Sequence, residues 1–245
     1  MSGCSVVAHG KLNLGLRVLG RRQDGYHDLA SLFQTVDLAD DVTLTPSAQL
    51  SLQCDDGDVP PETQNLAWRA ADLYLREAGG KPVHIDLVKR IPMGAGLGGG
   101  SADAAAVLRG LNRLASRPLA ADQLGHLGAQ LGSDVPFSIQ GGTMVVEGRG
   151  DRLTPVEWDP EGLELHYLLV DPGTQVNTPW AFSQLGRGIS SQNTVLSSSD
   201  PYLSFLDSAR GGRVPVRRLL EVIVNDFQPV VERAKPIVAR ASQAL

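Results

Sequence analysis

The chain is short of several things. It has two cysteines, Cys4 and Cys54, at no metal-ligand spacing. A disulfide framework and a structural zinc site are therefore excluded, and two ordinary thiols in a reducing compartment are expected. No window approaches the roughly 18 apolar residues of a membrane span. The opening stretch, MSGCSVVAHGKLNL, has no apolar core behind a basic start and does not read as a secretory signal. Lysine and arginine total 22 against 27 acidic residues, for a net charge of -5, and nowhere do the basic residues gather. A nucleic-acid duplex needs such a cluster. No nucleic-acid or membrane partner is expected, and a soluble, cytoplasmic protein follows. Phosphorylated small molecules stay open, because backbone N–H groups hold phosphate without a basic surface.

What is present suits one large folded unit or two small domains: 245 residues, 42% of them hydrophobic. Residues 5–20 read as β, and Asp24-Gly25 marks a turn. Two strand-like runs follow, SLFQTVDL and DVTLTP. Residues 65–78 read as a helix capped by Asn65 and ended by Gly79 and Gly80. VHIDLVKRI is a strand, SADAAAVLRGLNRL a helix, and DQLGHLGAQL a helix capped by Asp122 and stopped by Gly132. LELHYLLVDP reads as a strand, residues 186–200 as a Ser- and Gly-rich flexible loop around Arg187, and NDFQPVVERAKPIVARASQAL as a helix kinked at Pro236. Strands and helices intermix without strict alternation, which predicts an α+β fold rather than a doubly wound sheet.

The loop between VHIDLVKRI and the helix after it carries the most information. Five of the eight residues after Pro92 are glycine: the run is Met93, Gly94, Ala95, Gly96, Leu97, Gly98, Gly99, Gly100, then Ser101 and Ala102. Strand, glycine loop and helix make an anion site, because the backbone approaches closely and the first-turn N–H groups face the ligand. Ser101 is placed to cap the helix and to offer its hydroxyl to a phosphate or a magnesium ion. A Walker A loop fails, since position 100 is Gly and not Lys. GxGxxG fits at Gly94, Gly96 and Gly99, but the acidic residue at the right distance, Asp122, opens a helix instead of ending a strand.

Three blocks, in order, resemble the GHMP kinases: AHGKLNLGLRVLGRRQDGYHDLASLFQTVDL, PMGAGLGGGSADAA, and LGSDVPFSIQGGTMVVEGRGDRLTP. The GLGGGS form and the Tyr-His pair resemble those members that phosphorylate a cytidine diphosphate-linked methylerythritol on the way to isoprenoid precursors. The resemblance implies an α+β, two-domain GHMP kinase fold. Residues 1–155 would form a ribosomal-protein-S5-like ATP-binding domain. Residues 156–245 would form a ferredoxin-like domain, here truncated, because the family's last glycine-rich motif has no counterpart. It implies ATP and Mg2+ as cofactors, a small-molecule substrate, and a monomer or homodimer. The segment from Pro92 to Ala102 would hold the nucleotide, although Ala102 stands where the family usually has Ser.

Lys11 and Asp134 are by resemblance the catalytic pair. Asp134 would orient or deprotonate the acceptor hydroxyl, and Lys11 would bridge that oxygen to the transferred phosphoryl. On residue chemistry alone, Lys11 reads as a solvated strand lysine and Asp134 as a cap. Asn13 lies two positions from Lys11, on the same strand face. Tyr26 and His27 would read the cytosine, an aromatic face beside a donor–acceptor imidazole. Phe182, or else Trp180, would stack on that base; ordinary core is the other reading. Asn65 and Lys89 stand where the family lines its adenine pocket. Metal ligands do not announce themselves in the sequence. Two other readings remain: a GHMP kinase for another small alcohol, and an ATP-binding homologue with little catalytic power.

Overall fold

The computed structural model describes residues 3–56, 62–158, 165–186, 200–210 and 212–244. The described strands are β1 (Cys4–Arg21), β2 (His27–Pro46), β3 (Ser51–Cys54), β4 (Val83–Val88), β5 (Thr143–Gly148), β6 (Arg152–Pro155), β7 (Glu157–Trp158) and β8 (Arg213–Val214). The described α-helices are α1 (Leu66–Ala78), α2 (Gly99–Leu114), α3 (Ala121–Leu131), α4 (Val135–Gln140), α5 (Thr178–Gln184), α6 (Pro201–Ala209), α7 (Val216–Val222), α8 (Gln228–Ala234) and α9 (Pro236–Ala244). The chain is α+β. Its pairings β2–β4, β2–β5 and β5–β6 are antiparallel, which a doubly wound dinucleotide-binding sheet does not allow.

Two compact units divide the chain. One holds residues 1–12 and 35–141, the other residues 13–34 and 142–245. β1 and β2 pair with each other and each contributes residues to both units.

In the first unit, Asp41–Pro46 of β2 pair with Val83–Val88, and β3 adds in parallel from Ser51 against His84. Helices α1 to α4 cover this sheet. The alanine-rich start of α2 is what lets it pack closely: Ala102, Ala104, Ala105 and Ala106 are fully or almost fully buried with Val107 and Leu108. A methyl group at Gly110 would meet Leu44 Cδ1 at 2.5 Å and Val6 Cγ2 at 3.2 Å, so no larger residue fits there without a shift. Asn65 caps α1 by accepting the Ala67 N–H at 2.9 Å, as its sequence position predicts.

In the second unit, Leu29–Gln34 of β2 pair with β5, and β5 pairs with β6. The hydroxyl of Tyr202, from α6, accepts the Leu32 N–H at 2.9 Å and donates to the Leu14 carbonyl at 3.3 Å. Arg17 of β1 reaches both Asp200 (2.9 Å) and Asp226 (2.8 Å), and Asp226 also accepts the Val18 N–H at 2.9 Å.

The structure corrects several local expectations. SLFQTVDL and DVTLTP are one continuous strand, because β2 pairs along both halves of its length. Ser101 does not cap α2. The chain turns at Gly98, in the left-handed region at φ 71°, so the helix opens two residues earlier at Gly99. Asp122 does not cap α3 either; it sits inside the first turn, and the Ala120 N–H is satisfied by Gln123 Oε1 at 3.0 Å. The described part of LELHYLLVDP, from Leu165 on, forms no strand. The terminal segment is two helices, α8 and α9, because Lys235 before Pro236 leaves the helical region at φ -129°, ψ 84°. The loop around Arg187, residues 187–199, lies outside the described residues.

Candidate active site

The glycine loop closes around a cavity of about 350 Å³ in the first unit. Its walls run from Pro92 through Gly100 and include Asn65, Lys89 and Asp103. Gly98 is the hinge of this wall. Its positive φ is costly for any other residue, and a Cβ there would lie 3.1 Å from Lys11 Cγ, 3.3 Å from Lys11 Cε and 3.8 Å from Asp134 Oδ2. The residue that opens the helix therefore lies beside both Lys11 and Asp134. The N–H groups of Gly99, Gly100 and Ser101, in the first helical turn, have no partner within the helix and carry its positive dipole end.

Lys11 is 5% exposed, so it is not a solvated strand lysine. Its own N–H donates to the Leu97 carbonyl at 2.9 Å, which ties β1 to the glycine loop. Its ammonium lies 3.4 Å from Asp134 Oδ2. Asp134 occupies the position before α4, yet its side chain makes no capping bond. The carboxylate faces Lys11 instead, with its side chain about a third exposed. A partly exposed carboxylate beside a buried ammonium and a bare helix N-terminus can orient a hydroxyl towards a phosphoryl group.

Two acids at the cavity acquire their meaning only from the fold. Lys89 donates to Asp40 Oδ2 at 2.5 Å and to Asp103 Oδ2 at 2.7 Å. Asp40 Oδ1 accepts the N–H groups of Arg90 (2.5 Å) and Ile91 (2.8 Å), where β4 runs out into the loop. Burial pushes Asp103 up to about 7; Lys89 works against that and Asp40 adds to it. Burial also disfavours the Lys89 ammonium, but the charges and hydrogen bonds of Asp103 and Asp40 outweigh it and hold its pKa above the ordinary value. The sequence signal is thin: a lone acid in an alanine run, and the first member of an Asp-Asp pair in β2.

In the second unit, Asn13 is half-buried in β1. The turn before β2 is closed by Arg22 N–H to the Tyr26 carbonyl (2.7 Å) and Tyr26 N–H to Asp24 Oδ1 (3.1 Å). It leaves Tyr26 56% exposed, with the Arg149 guanidinium 5.1 Å above its ring. His27 stacks on Phe182 at 4.6 Å and 14°, and Phe227 meets Phe182 edge-on at 4.9 Å and 87°. Phe182, rather than Trp180, is thus the ring set against His27. Burial lowers the His27 pKa, and the charge of Arg21 lowers it further, so the imidazole is neutral at pH 7. Sequence reasoning misses Phe227, whose only signal is its place after Asn225-Asp226.

Among the described residues no group of three or more His, Cys, Asp or Glu side chains gathers as a metal site. No helix there is long and apolar enough to cross a membrane.

Residues 65–142 match the model of the GHMP kinases N terminal domain. The chain is 41% identical over 248 residues to the 4-diphosphocytidyl-2-C-methyl-D-erythritol kinase of Synechococcus sp. (strain JA-3-3Ab), covering 100% of this chain and 79% of that protein. It is 38% identical over 251 residues to the protein of the same name from Citrifermentans bemidjiense, covering 100% of this chain and 83% of that one. Among solved structures it is similar to a 4-(cytidine 5'-diphospho)-2C-methyl-D-erythritol kinase, with TM-score 0.69 and 34% identity, over 95% of this chain and 79% of that chain.

Proposed function

Because the chain belongs to the GHMP kinases, in the family of the 4-diphosphocytidyl-2-C-methyl-D-erythritol kinases, we propose that it transfers the γ-phosphoryl group of ATP to the 2-hydroxyl of 4-diphosphocytidyl-2-C-methyl-D-erythritol. The observation that carries this reading is the Lys11–Asp134 pair at 3.4 Å, set against the helix-opening Gly98. Asp134 takes the hydrogen bond, and then the proton, of the acceptor hydroxyl. Lys11 neutralises charge on the oxygen between acceptor and phosphoryl. The helix N–H groups from Gly99 onward hold the phosphates that Pro92 to Ala102 enclose. The cradle fits a triphosphate, since its wall at Gly98 has no room for a side chain and its amides lack helical partners.

Magnesium enters as the counter-ion of the triphosphate, with the Ser101 hydroxyl as the candidate protein ligand. Asn13, Tyr26, His27 and Phe182 are the proposed substrate residues. A neutral His27 both donates and accepts, as the edge of a cytosine requires. A cytoplasmic place and a small-molecule substrate belong to the same reading.

The test is ADP release with ATP, magnesium and the cytidine diphosphate substrate. Substrate-dependent release is expected, falling about a hundredfold or more in Asp134→Ala, as for a positioned general base. Release that the intact chain and the variant share equally overturns the reading. ATP binding without turnover in either supports the weakly catalytic homologue instead.

A further inference from the structure

The turn that carries Tyr26 and His27 is held by charge rather than by burial. None of residues 21–28 is buried, and Tyr26 is 56% exposed. With so little packing, a turn keeps one conformation only through its polar contacts. Here they meet at one side chain. Arg22 Nε donates to Asp24 Oδ2 at 3.1 Å and to Asp24 Oδ1 at 3.3 Å, and Arg22 Nη1 donates to Asp28 Oδ1 at 2.8 Å. Tyr26 and His27 lie between these two aspartates in the chain, so the guanidinium ties down the segment on either side of them. The backbone joins the same hub: the Arg22 N–H donates to the Tyr26 carbonyl at 2.7 Å, and the Gly25 N–H to the Arg22 carbonyl at 3.2 Å. Asp24 Oδ1 in turn accepts the Tyr26 N–H at 3.1 Å. A planar guanidinium that meets two carboxylates fixes direction as well as distance, which a lysine ammonium does not.

We propose that Arg22 is a positioning residue: by gathering Asp24 and Asp28 it fixes Tyr26 and His27 in the orientation that reads the base of the cytidine substrate, and it touches no ligand itself. The inference rests on the kinase reading and deepens it, by tracing base recognition to a charge clasp on the turn that bears the recognising side chains. The rings show what has to be aimed. His27 stacks on Phe182 at 4.6 Å and 14°, and the Arg149 guanidinium lies 5.1 Å over Tyr26. Both arrangements depend on where the short connection between β1 and β2 leaves the two rings. The side chains of Arg22, Asp24 and Asp28 are 39%, 42% and 37% exposed, and ion pairs so wet add little to stability. The effect of the clasp therefore falls on orientation, and a small misplacement of a binding group is costly. The substrate is itself a diphosphate, which separates positioning from contact. A cation that met the diphosphate directly would gain from losing a neighbouring carboxylate, whereas a clasp is broken by the same change. The two roles predict opposite signs for Asp28→Asn.

The experiment measures steady-state ADP release and melting temperature for the intact chain, Arg22→Ala, Arg22→Lys, Asp28→Asn and the double variant Arg22→Ala/Asp28→Asn. Expected in Arg22→Ala is a rise of about threefold to tenfold in KM for the cytidine substrate, with kcat and KM for ATP changed by less than about twofold. Arg22→Lys, which holds one carboxylate at a time, falls between. Asp28→Asn also raises that KM, and the double variant is no worse than Arg22→Ala alone, because both changes break one clasp. A purely structural role moves both KM values, kcat and the melting temperature together, and that result overturns the proposal. So does an Asp28→Asn variant with a lowered KM, which assigns Arg22 to direct contact with the diphosphate, and so does a KM that no variant moves. Should Arg22→Ala fail to fold, Arg22→Lys and Asp28→Asn decide by the same signs. An intact chain without substrate-dependent release overturns the kinase reading and this inference with it, whereas failure of the inference alone leaves the turnover of the intact chain in place.

Discussion

At the scale of single residues, the site depends on what Gly98 does not have. Its φ of 71° and the 3.1 Å approach to Lys11 Cγ leave no place for a methyl group. Gly98→Ala should therefore push Lys11 away from Asp134 at a backbone cost of about 1 kcal/mol. Expected is a fall in kcat of tenfold or more with only a few degrees lost in melting temperature; an unchanged kcat would show that Lys11 is free to yield. His27 makes a second residue-scale prediction. Its lowered pKa means that acidification below that value protonates the imidazole and removes its acceptor. KM for the cytidine substrate should rise once pH falls below the ordinary imidazole range, and His27→Asn should flatten that rise. Lys11 and Asp134 are legible in the sequence because each sits inside a motif. Asp40 and Asp103 are not, because their meaning lies in a shared lysine. A partnership between residues 40, 89 and 103 leaves no local pattern to read.

At the scale of elements, periodicity finds most of the strands and helices and misplaces their ends. The start of α2 is the instructive case. Ser101 has the chemistry of a cap, but glycine at position 98 takes the left-handed turn that a serine resists, and the helix starts there. The segment Leu168–Val170 fails for another reason. Its apolar run looks like a strand, yet Leu168 is 79% exposed, and the described residues pair nothing with it. A hydrophobic pattern states what a segment can bury, not whether a partner is present. Leu168→Ser is accordingly expected to change stability by no more than about 0.5 kcal/mol, checked by thermal melting. Tyr202→Phe is the contrasting case. It removes one hydroxyl that serves both the Leu32 N–H and the Leu14 carbonyl in the interior. Leaving these groups unpaired should cost about 1–3 kcal/mol, seen as a shift in the denaturation midpoint with the slope unchanged.

At the scale of the whole molecule, the buried Asp40–Lys89–Asp103 array sets a pH dependence opposite to that of ordinary paired carboxylates. Exposed Asp41, beside Arg90, and Asp24, beside Arg22, have lowered pKa values, so they lose stability as pH falls. Asp103 is raised, from 3.8 to about 7. Between those two values the folded state holds a proton there that the unfolded chain has released. Stability must then decline as pH rises through this window, and the loss is complete above about 7. Burial is the main cause, and Asp40 adds to it by facing the same Lys89 ammonium: above that pH a second buried negative charge must share one partner. Asp103→Asn keeps an oxygen for Lys89 and removes the proton. Its melting temperature relative to the parent should be lowest near pH 4 and climb steadily to pH 8, with the largest change between pH 5 and 7. A difference that stays constant across the range would mean that Asp103 is ionised throughout, and that Lys89 stabilises its charge more than burial disfavours it.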